Sequence, residues 1–147
     1  LLDAPAPHLR AYPVETGVAE KFEALVTLGM ANSRLKDFYD LWLIAQTFEF
    51  HQPVLVDAVR RTFERRETML PTDTPVGLSD EFATVWAVQW RTFLGRERMA
   101  AAPDTFAVVI AALRAFLMPL GFALEEERVW SPGGPWLPSA SSTGDAE

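Results

Sequence analysis

Cysteine is absent from the 147 residues. That excludes a disulfide scaffold, a thiolate metal site and a cysteine nucleophile, and it suits a reducing, cytoplasmic setting. Histidine is nearly absent: His8 and His51 stand 43 positions apart, with no second histidine or carboxylate at ligand spacing, so no metal site is expected from them. No apolar run approaches the roughly 20 residues of a membrane span, and no basic segment precedes a signal-like core. The expectation is a soluble chain that no membrane anchors. Excess positive charge is lacking as well. The net charge of −7 argues against a broad electrostatic nucleic-acid binder. Much of the acidity lies late, at Glu125, Glu126, Glu127, Asp145 and Glu147, against Arg128 alone. The remaining chain is close to balance, and Arg60, Arg61, Arg65 and Arg66 form one basic patch in it.

What is present is apolar content, 49% of the chain, enough for one domain with a sizeable core. Its periodicity is helical, with no convincing strand pattern beyond a short "LRAY" (Leu9–Tyr12) and no internal repeat. An all-α domain of five to six helices follows. Helix one spans Val14 to Leu28, with Gly29 as its C-cap and Gly17 as a blemish in its interior. Helix two runs from a Ser33 cap to Thr47 and, being apolar on every side beyond Asp40, should be buried there. Helix three carries Pro53 in its first turn, turns Val54, Leu55, Ala58, Val59 and Phe63 inward and points its arginines out. After the loop Pro71–Gly77, Ser79 caps a stretch to Glu97, read as one broken helix or two short ones. A last helix carries Phe106, Val109, Ile110, Leu113 and Phe116 towards Pro119. From Ser131 the chain is rich in Pro, Gly and Ser and is expected to be disordered, with packing of Trp130 to Trp136 on the body as the alternative.

Helix one raises a question of charge. On a helical wheel Val14, Val18, Phe22, Leu25 and Leu28 share a side, with Glu20, Glu23 and Thr27 opposite, and Lys21 falls inside the apolar arc. Helix two supplies an explanation. Its polar residues, Ser33, Arg34, Lys36, Asp37 and Asp40, are confined to the first turns, where the helix dipole favours charged carboxylates. Carboxylates at the border of a core need cationic partners, and a short connection through "MANS" brings Lys21 near them. One reading is a structural buried salt bridge in which Arg34 and Asp40 complete a network. The other is a functional pair.

The residues themselves favour comparison with a known pattern. "YPVETGVAEKFEALV" followed by "NSRLKDFYDLWLIA" resembles the C-terminal half of the nucleotidyltransferase AbiEii/AbiGii toxin family, the toxin side of type IV toxin–antitoxin pairs associated with phage defence. Glu20-Lys21 matches the family's E-K pair, and Arg34-Leu35-Lys36-Asp37-Phe38-Tyr39-Asp40-Leu41 matches R-x-K-D-x-x-D-L. The likeness is good from Leu9 to about Phe63 and extends further only in helical character. It implies a transferase that moves a nucleotide from a nucleoside triphosphate (NTP) to an acceptor such as a tRNA 3′ end, with Mg2+ as cofactor and an antitoxin as partner. Lys21 would hold the triphosphate. Asp37 would act at the acceptor hydroxyl or position the nucleotide, supported by Glu20, Arg34, Lys36 and Asp40. The arginine patch is read as a solvated helix face or as a hold on an RNA backbone. Trp86, Trp90 and Phe93 are read as core or interface rather than as a base-stacking platform.

The departures from the family are specific. Its Gly-Ser turn and the D-x-D pair that binds magnesium are missing from the sequence, and Gly17 stands where an aliphatic residue is usual. The organisation expected is therefore an extended lead-in over 1–13 from a missing N-terminal domain, a helical domain over 14–124 and a tail over 125–147. Such a chain would be inactive by itself. The rival expectation is a non-catalytic helical module or decayed remnant that contacts an antitoxin or RNA.

Overall fold

The computed structural model describes residues 13–121 and 127–139. The strand-like "LRAY" segment and residues 140–147 of the expected tail lie outside these. Six helices make up most of the rest: α1 (Pro13–Leu28), α2 (Leu35–Thr47), α3 (Gln52–Arg65), α4 (Asp80–Val85), α5 (Ala87–Glu97) and α6 (Phe106–Leu117). The all-α reading holds.

Local sequence explains most of the boundaries. Gly29 ends α1 with φ +59°, a conformation that costs glycine little, and leads into a 3-10 turn over Gly29–Ala31. Ser79 caps α4, its hydroxyl accepting the Phe82 N–H at 3.1 Å. The stretch after Ser79 breaks at Trp86 into α4 and α5, and the Trp86 indole N–H donates to the Met30 carbonyl at 3.0 Å. The start of α2 differs from expectation. Ser33 does not cap it; Asn32, buried, accepts the Arg34 backbone N–H on its side-chain oxygen at 2.9 Å. Asparagine side chains bond the backbone N–H two residues on, as serine hydroxyls do more weakly.

The core is built around α6, whose Phe106, Val109, Ile110, Leu113, Phe116 and Leu117 recur at helical spacing and are all buried. Phe106 stacks on Trp90 with ring centroids 4.6 Å apart and meets Phe38 and Phe82 at 5.6 and 5.9 Å. Trp90 and Phe93 are buried, as a core reading requires.

On α2 and α3 burial departs from expectation. Leu43 is 39% exposed and Val54 is exposed as well, because α2 and α3 lie at the surface of a small bundle that cannot cover every side of them.

Of the two readings of the segment from Ser131, disorder and packing of Trp130 to Trp136 on the body, the described residues through Ser139 follow the second. Strands β1 (Phe50–His51), β2 (Arg128–Trp130) and β3 (Trp136–Pro138) form an antiparallel sheet in that order. Phe50 pairs with Trp130, and Trp130 with Trp136. The three aromatic side chains gather on Phe116, at centroid distances of 5.3, 4.8 and 6.1 Å. The Trp130 indole N–H and the Gly133 backbone N–H both donate to the Ala45 carbonyl, at 2.8 and 2.9 Å. The hairpin thus satisfies a carbonyl near the end of α2. Two tryptophans outweigh a Pro- and Gly-rich composition, because the aromatic area they bury offsets the cost of ordering a short segment.

Candidate functional site

The site lies where the middle of α1 meets the start of α2. The apolar residues of α1 turn Val18, Ala19, Phe22 and Leu25 into the core, and Lys21 sits at one border of that arc. On α2, Leu35, Phe38 and Leu41 are buried, which leaves Lys36, Asp37 and Asp40 along the rim. The two helices therefore present their charges to one another without burying them completely.

Lys21 Nζ stands 3.8 Å from Asp37 Oδ1 and 3.8 Å from Asp40 Oδ2. Arg34 Nε lies 3.2 Å from Asp37 Oδ2. Lys36 Nζ donates to both oxygens of Asp40, at 3.0 and 3.1 Å. The expected network is present, but it is only half-buried, the Lys21 side chain being 29% exposed and that of Asp37 16%. Lys21 and Lys36 are the only lysines in the sequence, and both meet Asp40.

The two lysines differ in how they are held. Lys36 spends two of its three donors on Asp40. Lys21 is held by charge at a separation beyond hydrogen-bond length, and no described residue accepts a hydrogen bond from it. Its ammonium keeps three N–H donors for a further acceptor. Three cations face two carboxylates in the cluster, which leaves one positive charge beside the N-terminal turn of α2, where the helix dipole adds to it. Such an arrangement attracts an anion and can hydrogen-bond it.

The remaining candidates lie elsewhere. Glu20 turns away from Lys21, its carboxylate 3.5 Å from Arg65 of α3. Arg61 pairs with Asp57 at 3.0 Å and Arg66 with Glu23 at 3.5 Å, so three of the four patch arginines have carboxylate partners. Arg60 is exposed, with no ion pair among the described residues. His51 stands 3.7 Å from Glu49, at the edge of the sheet. An open cleft of about 700 Å3 on the far part of α5, lined by Arg91, Leu94, Arg98 and Asp104, includes none of the cluster.

The residue that the wheel misplaces is Glu23. Expected to face outward, it is 4% exposed, accepting hydroxyl hydrogen bonds from Thr68 at 2.7 Å and Thr27 at 2.9 Å, with Arg66 Nη1 at 3.5 Å. Ala19 was the available signal. Together with Val26 it widens the apolar arc towards Glu23, so the buried side of α1 extends further from Lys21 than the large residues alone suggest.

The class defined by this fold is a helical domain in which a lysine on α1 faces paired carboxylates on α2. The family model described as nucleotidyl transferase AbiEii toxin, type IV toxin–antitoxin system, matches residues 1–114, and the chain belongs to that family. No curated protein and no solved structure matches it. No helix among the described residues is long and apolar enough to cross a membrane.

The family implies a nucleoside triphosphate substrate and a metal ion. The described residues do not fit the metal. Among them no group of three or more histidine, cysteine, aspartate or glutamate side chains could hold one. The nearest carboxylates, Asp37 and Asp40, are already engaged by Lys21, Arg34 and Lys36.

Proposed function

We propose that this chain is the helical part of an AbiEii-type nucleotidyltransferase and that Lys21 holds the triphosphate of the NTP whose nucleotide is transferred. The observation that carries the reading is that no described residue accepts a hydrogen bond from Lys21, an ammonium placed by charge with donors for phosphate oxygens. Asp37, the less exposed partner of Lys21 in the same cluster, accepts a hydrogen bond from the acceptor hydroxyl or orients the nucleotide. Arg34, Lys36 and Asp40 set the position of these two. The acceptor is a tRNA 3′ end, and an antitoxin is the partner that restrains the activity.

Metal ions neutralise the charge that develops in phosphoryl transfer. With no Gly-Ser dipeptide and no D-x-D pair in the 147 residues, we assign those parts to a companion domain that precedes residues 14–124 in the working enzyme. Arg60, the member of the patch without an ion pair among the described residues, is left for an RNA backbone.

The test is a transfer assay with radiolabelled NTP, Mg2+ and total tRNA. The chain by itself is expected to leave the tRNA unextended. Extension of the tRNA by this chain alone would overturn the division of labour proposed. A second reading, a non-catalytic helical module that binds RNA or an antitoxin, draws on the same missing motifs and on Gly17. It requires that Lys21→Ala leave NTP binding as it is in the wild type.

A further inference from the structure

We infer that Glu23 is the positioning residue of this site. Its carboxylate fixes the rotation of α1 that directs Lys21 at Asp37 and Asp40. The inference rests on the reading of Lys21 as the triphosphate-holding residue.

Two positions apart on a helix, Lys21 and Glu23 point about 200° from one another, so they occupy opposite borders of the buried arc of α1. Lys21 faces α2 and Glu23 faces the chain just beyond α3. The contacts on the two borders differ in kind. Those of Lys21 are ion pairs at 3.8 Å, which tolerate displacement. Of the two hydroxyl hydrogen bonds that Glu23 accepts, the one from Thr27 at 2.9 Å lies within α1, and the one from Thr68 at 2.7 Å crosses to the chain beyond α3 and is short and directional. Rotation of α1 by about 20° would carry an ammonium roughly 6 Å from the helix axis through about 2 Å. That displacement would separate Lys21 from the carboxylates.

Thr68 makes the contact specific. Its hydroxyl reaches Glu23 from the turn after α3, where Glu67 has φ 57° and the Thr68 backbone N–H donates to the Phe63 carbonyl at 2.9 Å. Phe63 in turn meets Phe22 on α1, ring centroids 5.3 Å apart. The end of α3 therefore holds α1 through an aromatic pair and a buried carboxylate at consecutive positions, Phe22 and Glu23. Glu20 and Arg65, both exposed, add little to this.

The sequence permits a direct reading. With only two lysines in the chain, the side-chain ammonium region of a 15N spectrum contains one signal each for Lys21 and Lys36, assigned with Lys36→Arg. The full chain is compared with Glu23→Gln, Thr68→Val and Thr68→Ser, and ATP, CTP, GTP and UTP are titrated in turn.

The expected result is a shifted Lys21 signal and an unmoved Lys36 signal in Glu23→Gln and Thr68→Val, with affinity for the bound triphosphate reduced about three- to tenfold. Thr68→Ser should restore both readouts. A merely structural role would lower the melting temperature and leave the Lys21 signal of the folded protein in place, which would overturn the inference. Should Glu23→Gln fail to fold, Thr68→Val and Arg66→Ala carry the test from partly exposed positions. Should the wild type bind no triphosphate, the nucleotide reading falls, and the Lys21 signal still decides whether Glu23 positions it.

Discussion

Lys21 Nζ and Asp37 Oδ1 stand 3.8 Å apart, close enough to attract and too far to share a hydrogen bond. A lysine whose role was only to tie α1 to α2 gains most from direct contact, as Lys36 has with Asp40 at 3.0 Å. The separation at Lys21 leaves donors available at a place where the cluster carries a surplus positive charge.

The cluster should contribute little to stability. Its members are partly solvated, and ion pairs of that kind are typically worth about 0–1 kcal/mol. Lys21→Ala is expected to lower unfolding free energy by no more than about 1 kcal/mol in urea titrations. A much larger loss would mark Lys21 as a structural residue first.

Gly17 offers a stabilising change. A Cβ built there meets nothing within 4 Å, and the residue is helical. Gly17→Ala should raise stability by roughly 0.5–1 kcal/mol, read as a higher denaturation midpoint at unchanged slope.

The β2–β3 hairpin should be integral to the fold. Trp130→Ala removes a buried indole that fills space against Phe116 and satisfies Ala45, and is expected to cost about 3–5 kcal/mol. Gly134→Ala should also destabilise, because a Cβ there would overlap the Trp130 ring and φ is +78°. Leu137, exposed on the same hairpin, serves as the control, with Leu137→Ala within about 0.5 kcal/mol of the wild type by thermal unfolding.

Ser79→Ala tests the cap of α4. Loss of the hydroxyl that accepts the Phe82 N–H should cost about 1 kcal/mol by the same measurement.

Much of this was legible in the sequence because it is local. The 3.6-residue spacing of Phe106 to Phe116 marked α6, Ser79 marked a helix start and Gly29 a helix end. The meeting of Lys21 with Asp37 and Asp40 followed from a charged residue at an apolar border and a short connection. What escaped is non-local. The burial of Glu23 depends on Thr68, 45 residues away, and the ordering of Trp130 on Ala45, 85 residues away. Nothing in the immediate neighbourhood of either residue records that partner. The exposure of Leu43 likewise reflects how few elements surround α2, a property of the assembled bundle.

The most direct test of the central claim is calorimetric titration of each nucleoside triphosphate into the full chain, Lys21→Ala and Arg96→Ala, the latter an exposed position on α5 outside the cluster, at low and moderate salt. Saturable binding by the wild type, weakened about tenfold or more by Lys21→Ala, largely retained by Arg96→Ala and reduced by salt, is the expected result. Equal affinity in the wild type and Lys21→Ala would contradict the account and return Lys21 to the part of a structural ion pair.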